Sequence, residues 1–193
     1  TTLNGEGLQH EDGHSHILAS TIPNCRTFDP TYGYELAVII REGIRQMTEE
    51  QQNVFFYLTV MNESYVQPAM PEGVEDGIIK GMYLLEEDKR DAAHHVQLLG
   101  SGTILREVRE AAQILRDEFN VSADVWSVTS FNELRREGLA VERSNRLHPQ
   151  QKPQQTYIEQ CLGGRKGPVI ASTDYMKLFA DQIRQWVPSK EYK

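Results

Sequence analysis

The chain has 193 residues, with 20 Lys and Arg against 28 Asp and Glu, giving a formal net charge of −8. With 39% hydrophobic and 25% charged residues it suits one folded domain of typical size or a little more, which excludes whole-chain disorder. The acidic balance argues against a general nucleic-acid binder, and no apolar run approaches the ~20 residues of a membrane span.

The first thirteen residues, TTLNGEGLQHEDG, read as a loop, since glycine weakens helices and gives strands little to pack. A loop carrying a His-Glu-Asp cluster is expected to be held by other structure, as part of something longer. Asp29-Pro30 reads as a helix start, with Asp capping the exposed amides and Pro in the first turn. Leu36, Ile40, Ile44 and Met47 recur at helical spacing, which predicts a helix over 30–47. The run VFFYLTV at 54–60 lacks alternation and predicts a strand covered on both faces.

NESYVQPAMPEG, residues 62–73, is the best linker candidate. Gly73, Gly77 and Gly81 follow at four-residue spacing, compatible with a short, closely packed helix. Residues 82–85 and 96–99 predict two short strands, and the charged segment between them suggests a hairpin. Gly100-Ser101-Gly102-Thr103 then leads into a helix with Leu105, Val108, Ala112, Leu115 and Phe119 on one face, closed by Asn120. A strand at 123–129 precedes Ser130-Phe131-Asn132-Glu133, a capping-box sequence. A Gln/Pro-rich loop at 148–155, a short helix at 157–162 and a strand at 168–171 come next. An Asp174-capped helix carrying Tyr175, Phe179, Ile183 and Trp186 completes the order. Strands joined by crossover helices predict an α/β fold: a mostly parallel sheet with helices on both faces.

Three of the six histidines lie in His10-Glu11-Asp12-Gly13-His14-Ser15-His16. His10-Glu11-x-x-His14 matches a zinc-hydrolase pattern, but that pattern works only on a helix, and Gly13 inside it argues against one. The other readings are a solvated loop and a substrate loop, whose imidazoles handle a small anion near neutral pH. The glycine turn at 100–103 could cradle a phosphate on its amides. It lacks both the dinucleotide and the Gly-Lys-Ser/Thr patterns, which favours a structural turn. Asn62-Glu63, just past a strand, is a candidate of the kind found at strand ends in parallel sheets. Arg135, Arg136, Arg143 and Arg146, interleaved with glutamates, read as a solvated helix face. Trp126 and Trp186 read as core, and Cys161 as a packed thiol. Cys25 and Cys161 form no Cys-x-x-Cys pair, which gives no disulfide framework and fits a reducing, cytoplasmic setting.

Glu11-Asp12-Gly13-x-x-His16, followed by Ile22-Pro23-Asn24, resembles the end of the pyrimidine-binding domain of transketolase-like thiamine diphosphate enzymes. FDPTYGYELAVIIREGI, NESYVQPAMPEG, VQLLGSGTILREVREAAQIL, VWSVTSFNELRREG and ASTDYMKLFADQIRQWVP narrow the likeness to the homodimeric bacterial decarboxylating components of pyruvate dehydrogenase complexes. The resemblance implies the end of a pyrimidine-binding domain over 1–70 and a transketolase-like C-terminal domain, incomplete at its end, over 71–193. It implies an intact homodimer that decarboxylates pyruvate with thiamine diphosphate and Mg2+. The acetyl group then passes to the lipoyl domain of the acyltransferase component. The cofactor-binding motif of that family lies upstream and is absent from this chain, so the piece alone is expected to be inactive.

By the same resemblance, His10 matches the active-site histidine, and Asp12 and His16 match a substrate-side Asp and His. The wider family has Pro-Thr where this chain has His14-Ser15, which spreads the substrate contacts over His10, His14 and His16. An imidazole with an ordinary pKa of ~6.5 can protonate or hydrogen-bond either oxygen centre of a keto acid. A self-contained α/β domain that binds small anions is the alternative from a different class.

Overall fold

The computed structural model of the chain describes residues 7–193, so the start of the loop expected over the first thirteen residues lies outside the described residues. Two sheets organise the molecule. The first pairs β1 (Cys25–Phe28) with β2 (Phe55–Leu58) in parallel, in the register Cys25↔Phe55 to Phe28↔Leu58. The crossover between them is α2 (Gly33–Ile44), prolonged by one wider turn over Arg45–Glu49.

The start and the inward face of α2 differ from expectation. Asp29 does not cap it: Tyr32 stays extended, and the Glu35 carboxylate reaches back to accept the Thr31 and Tyr32 amides at 2.6 and 2.9 Å. Glu35 also accepts the Tyr83 and Ser127 hydroxyls, both at 2.6 Å. That tie turns Val38 and Ile39 toward Phe28, Ile78 and Tyr83, and leaves Ile40, Ile44 and Met47 facing out. The expected burial of β2 is likewise corrected. Phe55 is 44% and Tyr57 37% exposed, because β2 has only β1 beside it among the described residues.

The second sheet has the order β3-β5-β4-β6, with β3 (Tyr83–Glu86), β4 (His94–Gly100), β5 (Val121–Ser127) and β6 (Val169–Ser172). β4 runs parallel to both β5 and β6, and β3 is antiparallel to β5. The expected hairpin of β3 with β4 is therefore not formed, since β5 lies between them. The cause is the charged linker. Asp88 accepts the Ala123 amide at 3.2 Å, its own amide donates to Asp124 at 2.9 Å, and Arg90 donates to the Val121 carbonyl at 3.0 Å. These bonds tie the linker to the start of β5 and carry the chain past it.

Helices cover both faces, as expected. On one side α4 (Ile104–Phe119) sets Leu105, Val108 and Ala112 against Val96, Leu98, Ala123 and Val125. Phe119 departs from that face and is 63% exposed, and Asn120 closes the helix at φ +50°. On the other side α5 (Phe131–Leu147), α6 (Tyr157–Leu162) and α7 (Lys177–Asp181) enclose Leu99, Trp126 and Val169. Ser130 caps α5 by accepting the Glu133 amide at 3.0 Å. The Glu133 carboxylate goes instead to Arg26 and Arg136, so half of the expected box forms. A complete box forms at α6 between Thr156 and Glu159. Between β3's sheet and the first one, α3 (Glu75–Lys80) ends at Gly81, whose φ of +110° suits glycine.

The last helix starts at Lys177, three residues beyond Asp174, because the Met176 amide donates to the Gly13 carbonyl at 3.1 Å. The helix ends at Asp181, so of the four residues expected on it only Phe179 lies within it; Tyr175 precedes it and Ile183 and Trp186 follow, yet all four are buried, as is Trp126. Among the described residues no helix is long and apolar enough to cross a membrane.

Candidate functional site

The histidine-rich segment is a loop between a single 3-10 turn at Leu8–His10 and the short helix α1 (Ser15–Ala19). Asp12 shapes it. Its carboxylate accepts the His14 and Ser15 amides at 3.0 and 2.9 Å, and the Ser15 hydroxyl. Burial pushes the Asp12 pKa up, but these three donors more than offset it and hold the carboxyl below its ordinary range. The Gly13 carbonyl is fastened to Met176, so the loop is pinned at its centre to the segment before α7.

This arrangement separates the four residues singled out from the sequence. His10 and His14 are exposed. Asp12 is turned into its own loop. His16 is fully buried, with its ring stacked on Phe179 at 5.0 Å and edge-on to Tyr175 and Tyr57 at 4.8 and 5.5 Å. Burial lowers its pKa to about 4, against the opposing pull of the Asp12 charge, so the ring is neutral at pH 7. His10 ends one turn and His14 precedes the next helix, so the two imidazoles do not share the helical face that zinc hydrolysis needs. Among the described residues no three His, Cys, Asp or Glu side chains are grouped to hold a metal ion.

Several residues that sequence reasoning did not single out complete the site. Asn132, from α5, donates to the His16 carbonyl at 2.7 Å and to Thr27 at 2.6 Å. Thr59 lies 3.0 Å from His16 Nε2 and donates to Asp29 at 2.6 Å. The register explains that meeting: Phe28 faces Leu58, so Asp29 and Thr59 leave the two strands side by side. Burial pushes the Asp29 pKa up to about 6, although the Thr59 and Ser101 hydroxyls pull it down. The strand-end rule that drew attention to Asn62 and Glu63 applies more directly to this pair. Glu63 itself forms an ion pair with Arg106 at 3.1 Å.

The glycine turn is structural. Its Ser101 amide donates to Ser172 and its Gly102 amide to the Asp29 carbonyl, while Thr31 donates to the Gly102 carbonyl. Gly102 has φ +51°, and a Cβ there would run into the Asp29 carboxyl. With those amides engaged, the turn offers no cradle for a diphosphate. A cavity of about 500 Å³ beside α4 is no better suited. Its Arg106, Arg109 and Arg116 are already paired with Glu63 or Glu86, and no residue of the histidine loop lines it. Among the described residues neither of these two places fits thiamine diphosphate, and none of their residues is assigned to it.

Residues 1–68 match the family described as the pyruvate dehydrogenase E1 component middle domain, and residues 81–191 match the transketolase-like TK C-terminal domain. The whole chain aligns with the pyruvate dehydrogenase E1 component of Pseudomonas aeruginosa at 82% identity over 193 residues, and with that of Escherichia coli K12 at 57% over 194. It spans 22% of the length of each of these relatives. Among solved structures, the transketolase of Campylobacter jejuni superposes with a TM-score of 0.54 at 17% identity, covering 89% of this chain and 22% of that one. A transketolase variant from Pichia stipitis gives 0.51 at 15%, covering 81% and 19%. At those identities the solved structures speak for the fold. By its match over residues 81–191, the chain belongs to the transketolase-like TK C-terminal domain family, and along its whole length it is a homologue of one part of the pyruvate dehydrogenase E1 component.

Proposed function

We propose that this chain is a segment of a pyruvate dehydrogenase E1 component that works as a homodimer in the cytoplasm. The intact protein decarboxylates pyruvate with thiamine diphosphate and Mg2+, then reductively acetylates the lipoyl domain of the acyltransferase component. Residues 1–70 are the end of the pyrimidine-binding domain, and residues 71–193 belong to the C-terminal domain. The observation that carries this reading is the 82% identity to an E1 component over 193 residues, the whole of this chain.

Within that protein the loop supplies the pyruvate-facing groups. His10 acts on the reacting substrate, with an imidazole N–H for the keto or carboxylate oxygen. His14, exposed on the same loop, shares the substrate contact. Asp12 and His16 serve the substrate through the loop they hold, Asp12 from its turn and His16 from the core. A neutral, buried His16 suits holding better than it suits charge pairing with a carboxylate. The cofactor supplies the electron sink for decarboxylation when bound. Its binding residues are assigned outside this chain.

The test is an assay of the intact protein with thiamine diphosphate and Mg2+. Release of carbon dioxide from pyruvate, coupled to acetylation of a lipoyl domain, is the expected result, with none from the 193-residue chain alone. An intact protein that transfers ketol groups between sugars and leaves pyruvate untouched would contradict the proposal.

A further inference from the structure

Beneath the histidine loop, polar atoms from α1 and from the ends of β1 and β2 form a continuous line. His16 Nε2 lies 3.0 Å from Thr59 Oγ1, and Thr59 Oγ1 lies 2.6 Å from Asp29 Oδ1. Both ends of the line are buried, Asp29 at 8% exposure and His16 wholly, with Thr59 half-buried between them. A hydroxyl carries one proton, and an ionised carboxylate can only accept. The Thr59 proton therefore goes to Asp29, and the Thr59 oxygen must receive Nε2–H from His16. No partner for His16 Nδ1 is present among the described residues. The ring is thus fixed by a single hydrogen bond, and its tautomer is set by Thr59.

His16 is in turn the second residue of α1, four positions from Asp12, around which the loop bearing His10 and His14 turns. We propose that Thr59 and Asp29 are positioning residues for this loop, acting through the single hydrogen bond that orients the His16 ring. They touch no substrate. They set where the exposed imidazoles stand by holding the buried one. The inference rests on the pyruvate-facing role given to the loop above, although the anchoring itself can be read without any turnover.

The intact enzyme carrying Thr59→Val, which keeps the shape and removes the hydroxyl, is the direct test. Pyruvate kcat is expected to fall about tenfold or more with KM within about threefold, as misplacement of reacting groups predicts. Amide hydrogen exchange is expected to rise over residues 10–19 and to stay unchanged over α4. Thr59→Ser is expected to restore both. Unchanged kcat together with unchanged exchange over 10–19 would overturn the proposal. So would a Thr59→Ser variant as impaired as Thr59→Val, or exchange that rises throughout the protein. If Thr59→Val does not fold, Thr59→Ala, which also removes the hydroxyl, decides by the same readings. Local exchange that rises in a protein whose native form does not turn over pyruvate would uphold the anchor and overturn the enzymatic reading instead.

Discussion

A neutral imidazole packed among Tyr57, Tyr175 and Phe179 can take up a proton only by charging an apolar cage, whereas a buried carboxylate such as Asp29 gains by taking one up. The two groups therefore tilt stability in opposite directions. The folded-state pKa of His16 is depressed from 6.5 to about 4, so its contribution is present above pH 6.5 and lost as pH falls through 4. The pKa of Asp29 is raised from 3.8 to about 6, so its contribution is present below 3.8 and lost as pH rises through 6. Each is worth on the order of 3 kcal/mol across its window. Denaturant midpoints between pH 4 and 7 are read relative to the native sequence. They should rise toward acid in His16→Phe and fall toward acid in Asp29→Asn, and parallel profiles for the two variants would refute the assignment. At this scale the sequence disclosed the histidine cluster through its composition. It did not disclose that one ring of the cluster is buried, because His14-Ser15-His16 carries no burial pattern. Asp29 and Thr59 look like ordinary strand-end residues until the register sets them side by side.

Among the elements, α2 shows how one side chain decides what a helix buries. Glu35 is fully buried and accepts four hydrogen bonds, from the Thr31 and Tyr32 amides and the Tyr83 and Ser127 hydroxyls. Truncation to alanine would strand those donors as well as remove the cap. Glu35→Ala is expected to cost about 3–5 kcal/mol in chemical denaturation, with Glu35→Gln less damaging because the amide oxygen still accepts. A loss below about 1 kcal/mol would mean that solvent satisfies those donors, contrary to the burial of the site. Periodicity located this helix correctly, but its apolar positions occupy more than one face, and the polar Glu35 chose between them. The helix over Ile104–Phe119 was more legible, because Leu105, Val108 and Ala112 hold one buried face and Asn120 closes it, and Ser130 marked the start of the helix over Phe131–Leu147. The order of β3, β4 and β5 was not legible. It depends on bonds from Asp88 and Arg90 to the start of β5, and a charged run in a sequence does not say what it will be tied to.

At the scale of the whole molecule, the two family matches meet across a polar seam that includes the floor of the histidine loop. Thr31 bonds to Gly102, Ser130 to Thr27, and Asn132 to both Thr27 and the His16 carbonyl. Residues from both sides also share one hydrophobic cluster, with Phe28, Val38 and Ile39 of the first match and Tyr83 of the second joined by Ile78 from the segment between them. The loop is thereby presented by one sheet and braced by the other, a placement that neither stretch could provide alone. Of its two exposed imidazoles, His10 carries the functional claim. The most direct measurement is pyruvate decarboxylation by the intact enzyme with His10→Ala. Turnover is expected to drop by about 100-fold or more, as loss of a proton-handling side chain predicts, with the variant folded as the native protein is. Turnover within about twofold of the native enzyme would contradict the account, since an imidazole that acts on the reacting substrate cannot be removed without loss of rate.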